Sequence, residues 1–191
     1  LIQLKKRSDG ILLNGEPAYV IHPVKNGDIL TVNILEEESS EKIPPAELHL
    51  KIIYEDEDLL VLDKPADMPI HPSMNNYENS LANALAWYFQ QKNEAFVFRC
   101  INRLDRDTTG LTIVAKHAGS AGILSTAASN RMIHREYLAI AEGTGFSSSG
   151  TVNAPLGRKP DSAIERMVDP VHGEHAVTHY KVICEKNGCT L

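Results

Sequence analysis

VFRCINRLDRDTTGLTIVAK, residues 97–116, sets two runs of β-formers on either side of a polar turn. Val97–Asn102 and Leu111–Lys116 are dense in branched and apolar side chains. They predict two strands joined through a turn at Asp105–Gly110. Aspartate side chains cap turns and glycine accepts the positive φ that closes them, which explains Asp107 to Gly110 without any chemistry. Asp105 is different. It follows Arg103 by two residues and adjoins Arg106, a setting that favours a charged carboxylate. Such a group can act as a nucleophile or a base on an electrophilic carbon. On the residues alone, half of a structural ion pair is the favoured reading and a catalytic carboxylate the alternative.

Working outward, LKIIYED (50–56) and LLVLDKP (59–65) predict strands, the second halted by Pro65, which has no N–H for a ladder. Asn79 or Ser80 can cap a helix running to about Lys92, because Leu81, Ala84, Leu85, Tyr88 and Phe89 fall at helical spacing. Trp87 is expected among the core residues of that helix. A second helix is expected over Ser120–Asn130. Arg135–Glu142 and His175–Cys184 alternate like strands. The pattern is not a βαβ repeat. It predicts an α+β fold with a mixed, largely antiparallel sheet and flanking helices.

Upstream, ILLNG, AYVI and ILTVNIL in residues 11–35 predict short strands, with hairpin signals at Asn14-Gly15 and Asn26-Gly27. The acidic, proline-ended run over 36–47 predicts a linker that buries nothing, with a boundary near Ser40. The expected organisation is a segment 1–35, a linker 36–47 and a main domain 48–191.

Composition bounds the answer. With 191 residues, 42% apolar and 23% charged, the chain can bury a core. No run approaches the roughly 20 apolar residues of a membrane helix, and the first residues lack the apolar stretch of a secretory signal. Cys100, Cys184 and Cys189 form no CxxC pair and fit reduced thiols in the cytoplasm. Net charge is −6, which taken alone speaks against nucleic acid. Its distribution does not. Acid dominates residues 1–98, whereas residues 99–137 carry six basic and three acidic groups. Local field governs where a polyanion docks.

RLDRDTTGLTIVAK resembles the signature of the RluA/RluD-type pseudouridine synthases, roughly His-Arg-Leu-Asp-x-x-Thr-Ser-Gly-Leu. Three further segments agree in order: VLDKPADMPIHPS, REYLAIAEG and RMVDPVHGEHAVTHYKVI. The resemblance covers residues 50–191. It implies isomerisation of a uridine in RNA, with bacterial large-subunit ribosomal RNA as the expected substrate and transfer RNA as a second option. No cofactor and no metal are implied. The family's essential aspartate falls on Asp105, as nucleophile at C1′ or as base at C2′, and its strand tyrosine on Tyr137, implied to stack on the target base. Arg103 is implied to help hold a looped-out nucleotide. Arg106, Thr109, Arg135, Lys64 and His71 complete the expected RNA contacts, although a strand-ending turn explains Lys64-Pro65 and His71-Pro72 as well. Taking a base from its stack costs a few kcal/mol, offset by stacking and phosphate contacts.

The chain departs from the pattern at four places: Asn102 for histidine, Thr109 for serine, Arg135 for lysine and Glu174 for lysine. The family pattern also continues with Thr-Gly-Arg-Thr-His-Gln-Ile-Arg, whose arginine pairs with the aspartate. Leu1 in place of Met and the strand-like run ending at Leu191 suggest a fragment, and a chain without that arginine is expected to have little activity. Residues 10–32 resemble the back half of an S4-type RNA-binding domain, with Lys5-Lys6-Arg7 at the end of an opening helix. Three short strands with turns explain them too. His172 and His175 lack the spacing of helical zinc motifs, and Gly143-Thr-Gly145 lacks the Gly-Lys-Ser/Thr of a phosphate loop. No long apolar seam is visible, so a monomer is expected.

Overall fold

The structure, a computed structural model, describes residues 9–19, 21–34, 38–40, 42–74, 76–162 and 165–191. Its contacts form two compact units, Leu1–His134 and Arg135–Leu191. Lys5-Lys6-Arg7 and the linker residues Glu36, Glu37 and Glu41 lie outside the described residues.

In the first unit, Asn14 and Gly15 both take positive φ, 53° and 87°. That pairing closes a two-residue hairpin. It folds β1 (Ile11–Leu13) onto β2 (Glu16–Pro17), with Leu13 opposite Glu16. The other edge of β1 pairs with β3 (Leu30–Val32). The strand expected at AYVI does not form at its described residues, Ala18, Tyr19 and Ile21; the ladder lies just before them, at Glu16–Pro17. There Tyr19 donates its N–H to the His22 ring (3.2 Å) and accepts from the His22 N–H (2.9 Å). Such local side-chain bonds compete with a ladder.

The larger sheet begins with β4 (Ile52–Glu55) and β5 (Leu59–Lys64), antiparallel to one another. Burial along β5 alternates strictly, with Leu60, Leu62 and Lys64 inside. The Ser80 hydroxyl then accepts the Asn83 N–H while Asn83 reaches back to the Ser80 N–H, a capping box that starts α1 (Leu81–Gln91). Leu81, Leu85 and Phe89 lie one helical turn apart, so they share the face that packs on Leu60, Leu62 and Val114. Trp87, expected in that core, is only half-buried because it lies off this face. Phe96 stacks on Phe89 with ring centroids 4.1 Å apart. Next come β6 (Arg99–Cys100) and β7 (Gly110–Ala115), and the sheet order is β4-β5-β7-β6. The Nδ1 of His117 accepts the Ser120 N–H and so caps α2 (Ala118–Ser129), two residues ahead of its expected start.

The expected linker is not a bare spacer. Ser39 and Ser40 accept the N–H groups of Phe96 and Phe98 (3.1 and 3.3 Å), and the Pro44 carbonyl accepts from Asn83 Nδ2 (2.7 Å).

The second unit is built of short antiparallel ladders. β8 (Ala141–Glu142) joins a sheet with β13 (Glu185–Lys186) and β14 (Cys189–Thr190), in the order β13-β14-β8. β9 (Ser149–Asn153) pairs with β12 (Val177–Lys181), and β10 (Leu156–Arg158) with β11 (Arg166–Val168). The strand expected over Arg135–Glu142 is realised only at its last two residues. A strand needs a neighbour for its N–H and C=O groups, and β14 faces Ala141 and Glu142 alone. The α+β class holds, with sheets antiparallel throughout. No helix among the described residues is long and apolar enough to cross a membrane.

Candidate active site

The register of β5 against β7 sets Lys64 opposite Gly110 and Asp63 opposite Leu111. Two distant segments of sequence therefore meet at one end of the sheet: the turn after Lys64-Pro65 and the turn before Gly110. Main-chain and side-chain bonds then stitch them together. The Met68 N–H donates to the Arg106 carbonyl (3.2 Å), and Lys64 Nζ donates to the carbonyls of Pro65, Met68 and Arg106 (2.8, 2.9 and 2.9 Å). The Arg106 guanidinium donates in turn to the Asp67 carboxylate.

Lys64 is fully buried. Its three protons are all engaged, so none is left for a phosphate. The expectation of an RNA contact from Lys64 is replaced by an internal one: it fastens the Arg106 main chain to the end of β5. Burial pulls its ammonium below the ordinary lysine value, and the charges of Asp107 and Asp105 oppose that pull. A buried cation close to two carboxylates is a fixed positive field beneath the loop.

Asp105 immediately precedes the stitched Arg106, and its charge acts on Lys64. Its carbonyl accepts the Thr108 N–H (3.2 Å), which closes the turn Asp105–Thr108. Leu104, buried just before it, anchors the turn to the protein. Gly110 takes a φ of 117° where the chain enters β7, a conformation other residues rarely adopt. The Asp105 side chain is exposed, and among the described residues its carboxylate accepts no hydrogen bond and forms no ion pair. Arg106 does not hold it, contrary to the sequence expectation. Consecutive residues of a turn point apart, and Arg106 reaches across to Asp67 instead. The nearby positive charge comes from Lys64, which the sequence reading assigned to RNA.

Arg103 is exposed and, among the described residues, makes no hydrogen bond or ion pair. His71 is exposed too, its ring edge-on to Phe98 at 5.0 Å between centroids. Partial burial, then the charge of Arg103, lowers the His71 pKa and favours its neutral imidazole. Thr109 is exposed beside the turn. The first unit thus gathers Asp105, Arg103, Arg106, Thr109 and His71 around one sheet end, over Lys64. Tyr137 and Arg135 belong to the second unit, where both side chains are exposed.

Sequence reasoning missed Asp67 and Asn102. The first has a φ of 59°, a turn conformation that aspartate tolerates, and the Ala-Asp pair after Lys64-Pro65 was a turn signal that could have marked it. Asn102 was noted only as a departure. Its amide bonds on both sides to β7, and nothing in its sequence context distinguishes that role. No group of three or more metal-ligating side chains occurs among the described residues.

Comparison with known proteins gives the family. Residues 58–191 match the family model described as RNA pseudouridylate synthase. Over its whole length the chain is 38% identical to the uncharacterized RNA pseudouridine synthase YjbO of Bacillus subtilis, covering 67% of that protein. It is 36% identical over 84% of its length to ribosomal large subunit pseudouridine synthase D of Escherichia coli, and spans about half (48%) of that relative. Among solved structures, human RNA pseudouridylate synthase domain containing 1 superposes with a TM-score of 0.57 at 25% identity, over 73% of this chain and 54% of the other. On the family match and the shared fold, this chain belongs to the RNA pseudouridylate synthase family.

Proposed function

We propose that the full-length protein converts specific uridines of RNA to pseudouridine, with bacterial large-subunit ribosomal RNA as the substrate. The relative named for the large ribosomal subunit supports that choice of RNA. The observation that carries the reading is the Asp105 carboxylate, exposed and unpaired among the described residues on a turn whose main chain is pinned by Lys64 and Met68. A pinned loop holds a reacting group in one geometry, which is where much of a rate enhancement originates.

In the reaction the N1–C1′ bond breaks, the base turns, and C5 bonds to C1′. The C5 hydrogen leaves as a proton and N1 regains one, so the product is an isomer of the substrate. No redox partner is needed. Asp105 either attacks C1′ or removes the C2′ proton. Arg103 and His71 serve as contacts for the displaced nucleotide's phosphates, Arg106 and Thr109 border the same turn, and the roles of Tyr137 (stacking on the base) and Arg135 (an RNA contact) rest on the family resemblance alone.

Release of tritium from 5-labelled uridine in ribosomal RNA, taken from cells lacking the protein, tests the activity. Substituting Asp105→Asn, nearly isosteric, should cut the rate by on the order of 10³-fold or more while RNA affinity stays within about tenfold. RNA binding with no tritium release from the unsubstituted protein would reduce it to a binding module. Turnover retained in the Asn variant would remove Asp105 from the chemistry.

A further inference from the structure

The β6–β7 ladder pairs Arg99 with Ala115 and Cys100 with Val114. The Ile101 N–H then donates to the Ile113 carbonyl (2.8 Å). One step further, the chain leaves the sheet toward Asp105, and β7 loses its neighbour. Two β7 groups point into that gap: the Ile113 N–H and the Leu111 carbonyl. The Asn102 side chain fills both roles. Its Oδ1 accepts from the Ile113 N–H (2.8 Å) and its Nδ2 donates to the Leu111 carbonyl (3.0 Å). A carboxamide carries the same donor and acceptor as a peptide group. Asn102 thereby stands in for the missing rung of the ladder. Its own carbonyl accepts from the Cys100 thiol (3.1 Å), which ties it back to β6.

We propose that Asn102 is a positioning residue for Asp105: its amide fixes the point at which the chain departs from the sheet, three residues before the carboxylate. This rests on the assignment of Asp105 given under the proposed function. The turn then has two fasteners. Lys64 and Met68 hold it from the β5 side through the Arg106 carbonyl, and Asn102 holds it from the β7 side. Losing the second lets Arg103 and Asp105 swing about the first. Reaction geometry tolerates little such movement: displacement by about 1 Å can cost on the order of 10²-fold in rate. Affinity for RNA, set by many phosphate contacts, barely depends on it.

The requirement is chemically specific. Aspartate keeps the acceptor for Ile113 but sets a carboxylate oxygen against the Leu111 carbonyl. Alanine leaves both β7 groups without a partner.

The test uses the full-length protein with Asn102→Ala and Asn102→Asp, read in three ways. Tritium release should show kcat down about 10- to 100-fold in both, with KM within about twofold. Direct RNA binding should be unchanged within about twofold. Amide hydrogen exchange should show the Ile113 N–H losing protection in Asn102→Ala and keeping more of it in Asn102→Asp. Wild-type kcat in Asn102→Ala, with Ile113 deprotected, would overturn the positioning role and leave the function of Asp105 standing. A parallel loss of kcat, affinity and folded signal would reduce Asn102 to a stability residue. If the unsubstituted protein releases no tritium, both this inference and the proposed function fall together.

Discussion

The two units of this chain are stabilised in different ways. In residues 9–134, Leu60, Leu62, Leu81, Leu85, Phe89, Phe96 and Val114 form an apolar layer between the sheet and α1. In residues 135–191, Thr190 is the one buried residue among those described, and the strands are joined chiefly as backbone ladders. Asp105 is carried by the first kind of support and Tyr137 by the second. Hydrophobic burial is the dominant favourable contribution to folding. The Asp105 carboxylate therefore stands on the part of the molecule that resists local opening, since regions with few buried apolar contacts open first.

Truncating one residue in each unit breaks or sharpens this contrast. Leu85 is completely buried, facing the sheet. Leu85→Ala should destabilise by about 3 kcal/mol, the loss of transfer energy plus the cavity left behind. Val152 lies exposed in the middle of β9, and Val152→Ala should cost about 0.5 kcal/mol. Chemical denaturation of both variants, with amide exchange to report each unit separately, gives the comparison. Equal losses would mean that the second unit has a core of its own and that the distinction fails.

Acid acts on the first unit through Glu55. Glu55 is partly buried, which by itself would raise its pKa. Hydrogen bonds from Tyr88 (2.6 Å), Lys92 (3.0 Å) and Lys116 (3.0 Å), with the charge of Lys116, outweigh that and bring it down to about 2. A carboxyl depressed on folding gives stability that is present above its unfolded pKa, near 4.5, and is lost as pH falls through about 2. After allowance for solvent screening, the contribution is about 1–2 kcal/mol. Glu55→Gln should be less stable at pH 7 and should lose less between pH 5 and pH 2 than the unsubstituted protein. Parallel stability curves for the two would show that Glu55 is not coupled to folding.

The legible parts of the fold were those written in local chemistry. Asn14-Gly15 specifies a hairpin turn, Ser80 a helix start, Pro65 the end of a strand and Gly110 a positive φ, because each depends on a residue's own backbone preferences. Four motif segments in order were enough to indicate the family. What stayed hidden depends on long-range geometry. Whether Lys64 faces RNA or the interior is decided by strand alternation, together with the Arg106 carbonyl 42 residues away in sequence. Whether Arg106 pairs with Asp105 or Asp67 is decided by the direction of a turn. The alternation over Arg135–Glu142 was genuine, but a ladder needs a partner and the sequence pattern does not say how far one extends.

A smaller effect probes how well the site's own sheet is packed. Thr112 stands on β7 opposite Leu62, between the two residues whose backbone groups Asn102 clips. It is fully buried, and its hydroxyl has no hydrogen-bond partner among the described residues. A buried hydroxyl without a partner keeps its desolvation cost, whereas a methyl group in the same space has none. Thr112→Val should therefore stabilise the first unit by about 1 kcal/mol, measured as a raised denaturation midpoint with unchanged slope. The β7 backbone is untouched by the exchange, so the Ile113 and Leu111 bonds to Asn102 remain, and turnover should stay within about twofold of the unsubstituted rate. A destabilised Thr112→Val would mean that this hydroxyl is bonded in solution. The sheet end beneath Asp105 would then include a polar contact that the apolar layer does not explain.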